Sequence, residues 1–214
     1  MDAGGLRKRR ADTDFVSIGE PLSEARAAVI LVHGRGASPE DILSIADVLE
    51  SGGLAFLAPR ALGGAWYPYS FLEPLEKNAE GIHRGLDAIE ELLEMCSSAG
   101  LQSERVFLGG FSQGACLSLE FAATHARRYA GVFGLSGGLI GPEGTPRAYT
   151  GSLKGTPVFL GCSDVDPYIP KDRVVETAQV MEKLGGAVTM RLYPGAPHSV
   201  NDDEISFLNK LIRP

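Results

Sequence analysis

Along the 214 residues, short apolar runs alternate with longer stretches in which apolar positions recur every three or four residues. The runs at 14–18, 28–33, 54–58, 105–109, 131–135, 157–161 and 187–193 have the length of strands, and most are continuously apolar. Such runs, rather than strict polar alternation, are what strands covered on both faces require. Between them, Leu75, Ala79, Ile82, Leu86, Ile89 and Leu93 step by four and three. That spacing predicts a helix to about Met95 that lays this stripe on the sheet, with His83 on its polar side. Ser38-Pro39-Glu40-Asp41 supplies an N-cap, a first-turn proline and two acids, and predicts a helix to about Glu50. A helix over 113–125 follows the fourth run, and Val174, Ala178, Met181 and Leu184 mark another, closed by Gly185-Gly186. The last helix begins near Asn201, with Asp202, Asp203 and Glu204 in its first turn and Ile205, Leu208 and Ile212 facing inward.

Strand and helix in alternation predict an α/β fold: a mainly parallel, seven-stranded sheet with helices on both faces. No repeat or linker divides the chain, so residues 13–214 are expected to form a single domain behind a flexible N-terminus at 1–12. No insertion between the strands is long enough for a large lid domain.

Composition mainly excludes. A net charge of -7 argues against a nucleic-acid partner, which needs clustered positive charge. The apolar runs, such as 27–32, fall far short of the roughly 20 residues of a membrane span, so no integral membrane association is expected. Arg7, Lys8, Arg9 and Arg10 precede no apolar segment of secretory type. Three widely spaced cysteines, Cys96, Cys116 and Cys162, form no complete disulfide set and no C-x-x-C pair. They read as small buried thiols in a reducing, cytoplasmic setting, with no metal site and no cofactor.

Chemistry enters at Gly110-Phe111-Ser112-Gln113-Gly114, which matches G-x-S-x-G directly after a strand and before a helix. A serine lifted out of a sheet on such a turn needs flanking residues with almost no side chain. It also needs a base to take its proton and an acid to orient that base. Of the four histidines, His198 alone follows Ser112 in a loop beyond a strand, in Pro194-Gly195-Ala196-Pro197-His198. His125 ends the helix after the serine, where it suits the dipole. The acid is left open between Asp164 and Asp166, both after the run at 157–161, with Asp166 favoured by its place beside Pro167.

The motifs Leu31-Val32-His33-Gly34-Arg35-Gly36-Ala37-Ser38, Gly110 to Gly114, Asp166-Pro167-Tyr168-Ile169-Pro170 and Gly195-Ala196-Pro197-His198 stand in that order. Together the chain, over about residues 28–212, resembles the phospholipase/carboxylesterase branch of the α/β-hydrolase fold, which includes small bacterial carboxylesterases and the acyl-protein thioesterases. The resemblance implies Ser112, Asp166 and His198 as catalytic triad, choosing Asp166 through its D-P-x-[V/I]-P pattern. It places an oxyanion hole at the backbone N–H groups of Arg35 and Gln113, which also lie on turns just after strands, Gln113 opening a helix. His33 is then structural. Leu160 stands where the family usually has a histidine.

For substrate, Trp66, Tyr67, Phe71 and Leu72 in an aromatic-rich loop are expected to line an apolar pocket, bordered by Leu139 and Ile140. The expected activity is hydrolysis of a small-molecule acyl or aryl ester by a serine carboxylesterase. Lysophospholipase or acyl-protein thioesterase action on a thioester is the alternative. A dienelactone-hydrolase-like enzyme, which normally carries cysteine where Ser112 stands, and a catalytically silent binding module complete the candidates, and a homodimer stays open.

Overall fold

In the computed structural model, which describes residues 14–50 and 52–213, the seven apolar runs are seven strands. The N-terminus at 1–12 with Arg7, Lys8, Arg9 and Arg10 lies outside the described residues. The strands are β1 (Phe15–Gly19), β2 (Ala27–Val32), β3 (Leu54–Pro59), β4 (Val106–Phe111), β5 (Gly131–Leu135), β6 (Pro157–Ser163) and β7 (Ala187–Tyr193). They form one sheet in the order β1-β3-β2-β4-β5-β6-β7, antiparallel only where β1 pairs β3. The chain runs from β2 outward to β3 and then crosses back to β4, so the connections reverse direction between β2 and β4. In open α/β sheets the crevice outside the strand ends at such a reversal is where ligands bind.

Along β2 the side chains sort by parity. Ala28, Ile30 and Val32 join a core shared with α2 (Leu75–Ser98), α3 (Gln113–Thr124) and α4 (Lys171–Lys183). Val29 and Leu31 join a second core shared with α1 (Pro39–Leu43) and α5 (Asp202–Ile212). Every residue of β2, β3 and β5 is buried, which is why these strands read as unbroken apolar runs. Among the described residues, no helix is long and apolar enough to cross a membrane.

Two helices differ from expectation. The Ser38 cap forms as a reciprocal box, its Oγ accepting from Asp41 N–H (3.2 Å) and Asp41 accepting from Ser38 N–H (2.8 Å). The helix stops at Leu43, however, and continues to Val48 only as a tighter 3-10 turn. Ser44 bonds the Asp41 carbonyl with its hydroxyl (2.6 Å) as well as with its N–H, drawing the chain into three-residue steps.

On α2 the buried face is rotated from the large apolar stripe. Leu75 is exposed, whereas Asn78, Gly81, Gly85, Ala88 and Leu92 are buried beside Ile82, Ile89 and Leu93. The helix approaches the molecule through its glycines: a Cβ on Gly81 would overlap the Trp66 carbonyl oxygen and lie 2.8 Å from Tyr67 Cα. Gly81→Ala gains about 1 kcal/mol of helix propensity. Overpacking against rigid backbone costs about 1–3 kcal/mol. The steric cost is expected to win, so this variant should lower the denaturant midpoint.

Candidate active site

Ser112 caps the turn from β4 to α3 at φ 55° and ψ −119°, backbone that side-chain-bearing residues rarely adopt. Its N–H donates to Leu135 O (2.9 Å), holding the turn against the neighbouring strand. The two outer glycines of the pentapeptide are sterically required: a Cβ on Gly110 would overlap Val32 O, and one on Gly114 would overlap the Val32 carbonyl. Small residues thus let α3 start directly over β2 and leave the serine hydroxyl at the C-terminal ends of the parallel strands.

The later strands deliver the other groups to the same end of the sheet. His198, in the loop after β7, places Nε2 2.9 Å from Ser112 Oγ and Nδ1 2.7 Å from Asp166 Oδ2. Asp166, in the loop after β6, has a fully buried side chain, and its Oδ1 accepts the N–H groups of Tyr168 (2.9 Å) and Ile169 (3.0 Å). Burial works against the charge, but the His198 bond and the two amides outweigh it and hold the carboxyl below its ordinary value. An ionised Asp166 puts the imidazole proton on Nδ1 and turns the Nε2 lone pair toward the serine. Phe111 and Tyr168 flank the imidazole, each with ring centroids 4.9 Å away.

Asp164 does something else. Its Oδ1 accepts from Gly195 N–H (2.8 Å), tying the β6 loop to the start of the His198 loop. The end of that loop is fastened by Glu204, whose Oε2 accepts Asn201 N–H (2.9 Å) while Asn201 Oδ1 caps α5. Glu204 is 1% exposed and packs against Gly161; burial raises its pKa to about 7, against the pull of the Asn201 amide. A carboxyl raised in the folded state binds a proton that the unfolded chain releases. Its stabilising contribution is therefore complete below the ordinary glutamate range and is lost as pH rises to about 7. Glu204→Gln is expected to flatten this fall, worth on the order of 2–3 kcal/mol between pH 4.5 and 7, in denaturant melts across that range.

Opposite the serine, the turn after β2 is built on His33. The imidazole is buried, its Nδ1–H donates to Gly34 O (2.8 Å) and its Nε2 accepts from Ala61 N–H (3.1 Å), which fixes a neutral ring; burial lowers its pKa. Gly36 N–H donates to Gly64 O (2.7 Å) and Ala37 N–H to Gly34 O (3.3 Å). Among the described residues, the N–H groups of Arg35 and Gln113 meet no acceptor in the protein. Gln113 is the first residue of α3, so its N–H has no partner within the helix and shares the positive end of the dipole.

Ser112 and His198 lie in a cavity of about 730 Å³, within the range of small-molecule sites. Tyr67, Phe71 and Leu72 line it as expected, and so do Arg35 and Gln113. Trp66, Leu139 and Ile140 do not. Trp66 is buried beneath the β2 turn, its indole N–H donating to His33 O (2.9 Å). The polar handle of the indole found a backbone carbonyl, and its ring became a wedge under the turn rather than a pocket wall. Leu139 and Ile140 are buried in the strap 136–156, which is drawn onto α4 when Arg173 Nη1 donates to Leu139 O (2.7 Å) and Gly141 O (2.6 Å), while Arg147 of the strap pairs with Glu176 of α4 and folds back to donate to Ile140 O (2.6 Å). The wall they were expected to form is supplied by Pro167, Tyr168, Ile169 and Phe111. The adjacency of 167–169 to Asp166 was the available signal for that wall. The cysteines Cys96, Cys116 and Cys162 are free and buried.

A family model described as Phospholipase/Carboxylesterase matches residues 13–214. Among curated proteins, Acyl-protein thioesterase 1 of Debaryomyces hansenii is 27% identical, covering 89% of this chain and 92% of its own. The protein of that name from Kluyveromyces lactis is 29% identical over 92% of this chain and 97% of its own. Among solved structures, a phospholipase/carboxylesterase from Dyadobacter fermentans superposes with a TM-score of 0.91 at 37% identity, covering 94% of this chain and 97% of its own. The Bacillus cereus carboxylesterase shares the fold with a TM-score of 0.73 at 18% identity, covering 94% and 93%.

Proposed function

The chain belongs to the phospholipase/carboxylesterase family of hydrolases, and from that premise we propose that it is a serine carboxylesterase hydrolysing small acyl or aryl esters through an acyl-enzyme on Ser112. The observation that carries this reading is the unbroken chain Asp166 Oδ2, His198 Nδ1, His198 Nε2, Ser112 Oγ at 2.7 and 2.9 Å, opening on an apolar cavity.

His198 Nε2 takes the Ser112 hydroxyl proton as Oγ attacks the ester carbonyl. The charge that develops on the carbonyl oxygen is met by the Arg35 and Gln113 N–H groups, which have no competing acceptor among the described residues. The imidazolium, balanced by ionised Asp166, returns its proton to the departing alcohol and leaves the acyl group on Ser112. Water then attacks that ester by the same proton route in reverse. Tyr67, Phe71 and Leu72 offer an apolar wall for the acyl chain, and a cavity of about 730 Å³ suits a short or medium chain or an aryl group.

A second reading has support in the curated relatives named Acyl-protein thioesterase 1: the same machinery acts on a thioester. Turnover of p-nitrophenyl acetate and butyrate by the purified protein tests the primary reading. A parallel panel of acyl thioesters and lysophospholipids ranks the leaving groups by kcat/KM. Absence of turnover across the whole panel would assign the chain to the silent binding modules instead.

A further inference from the structure

The two residues whose N–H groups are proposed to form the oxyanion hole also grip the pocket wall with their side chains. Arg35 Nη1 donates to Pro68 O (2.9 Å), and its Nη2 donates to Tyr67 O (2.9 Å) and Tyr69 O (2.7 Å). From the other side, Gln113 Nε2 donates to the same Tyr67 O (2.9 Å), while Gln113 Oε1 accepts Trp66 N–H (2.9 Å). Three consecutive carbonyls thus converge on one guanidinium, a geometry that its planar, multi-donor fork satisfies and a flexible ammonium does not. Tyr67, buried and lining the cavity, belongs to the segment held in this way, and Phe71 follows two residues beyond it.

We infer that the Arg35 and Gln113 side chains join the aromatic wall and the oxyanion turn into one unit, making Arg35 a positioning residue for acyl transfer and for acyl-chain selectivity. The inference rests on the acyl-enzyme reading. Binding energy from a remote acyl chain raises kcat only when the surface it fills is rigidly connected to the groups that meet the transition state. Here the connection is five hydrogen bonds long in total, and two of them share a single carbonyl. Selectivity for butyrate over acetate is therefore expressed in kcat in the wild type.

The test compares kcat and KM for p-nitrophenyl acetate and butyrate in wild type, Arg35→Ala and Arg35→Lys. Acrylamide quenching of Trp66, the single tryptophan of the chain, reports on the packing between the β2 turn and the held segment, since its ring lies beneath that turn and its backbone N–H is bound by Gln113. In Arg35→Ala, kcat for butyrate should fall about 10- to 100-fold, more than for acetate, because a small misplacement is costly at the reacting centre. The butyrate-to-acetate kcat ratio should move toward one, quenching should rise, and Arg35→Lys should lie between. A merely structural arginine would scale both substrates alike, so a wild-type kcat ratio in Arg35→Ala overturns the inference whatever happens to the melting temperature. If Arg35→Ala does not fold, the Arg35→Lys ratio decides in the same way. Wild-type protein without esterase activity, or activity that persists in Ser112→Ala, overturns the acyl-enzyme reading instead, and unchanged quenching in Arg35→Ala then overturns the clamp separately.

Discussion

Ser112→Ala should lower kcat/KM for p-nitrophenyl butyrate by about 10⁴- to 10⁶-fold, the range expected when the nucleophile of a triad that acts as a unit is removed. The substitution deletes one oxygen, the atom 2.9 Å from His198 Nε2, and leaves the cavity and the Arg35 and Gln113 amides in place. Substrate binding should therefore persist while chemistry stops. Alanine does not relieve the positive φ at this position, and the N–H bond to Leu135 O remains, so the melting temperature should move little. A variant that folds normally yet retains more than about a hundredth of the activity is incompatible with a serine acyl-enzyme, given the size of the loss expected.

Asp166→Asn should cost about 10⁴-fold in kcat, the magnitude seen when a triad acid becomes an amide. The local hydrogen bonds say why the amide cannot adapt. Oδ1 must remain an acceptor for the Tyr168 and Ile169 N–H groups, which forces the asparagine NH₂ onto the side facing His198. A donor there demands an unprotonated Nδ1, so the proton moves to Nε2 and points at the serine that needs a base. Asp164→Asn makes the contrast. Its oxygen can still accept Gly195 N–H, and kcat should fall less than about tenfold. The depressed Asp166 carboxyl adds a pH signature. Its stabilising contribution is complete above the ordinary carboxylate range and disappears only as pH falls through the depressed folded-state value. Equal losses in the two asparagine variants would contradict the assignment of Asp166.

Strand positions were legible because burial on both faces writes itself as consecutive apolar residues, as in Val29 to Val32 and Leu54 to Ala58. The serine turn was legible because its sterics demand glycine at fixed places, and Gly110 and Gly114 meet the Val32 carbonyl as that logic requires. The buried face of α2 was not, since Gly81 and Gly85 contribute closeness rather than hydrophobicity and leave no apolar signal. Asp164 and Asp166 share one loop and differ only in what tertiary structure sets opposite them, Gly195 N–H for one and His198 for the other. The pocket residues failed for a related reason. Aromatic and aliphatic character says that a side chain leaves water, but the carbonyls bound by Arg147, Arg173 and the Trp66 indole decide which apolar space it enters. The side-chain bonds of Arg35 and Gln113 leave no trace in the sequence, because bonds to the main chain of a distant loop carry no local pattern.

The most direct test of the acyl-enzyme is to let the active protein react with a fluorophosphonate, digest it and locate the adduct by tandem mass spectrometry. The account predicts one modified residue, Ser112, with esterase activity lost in proportion to labelling and no adduct in Ser112→Ala. An adduct on another residue that abolishes activity, or full activity with Ser112 modified, would contradict it.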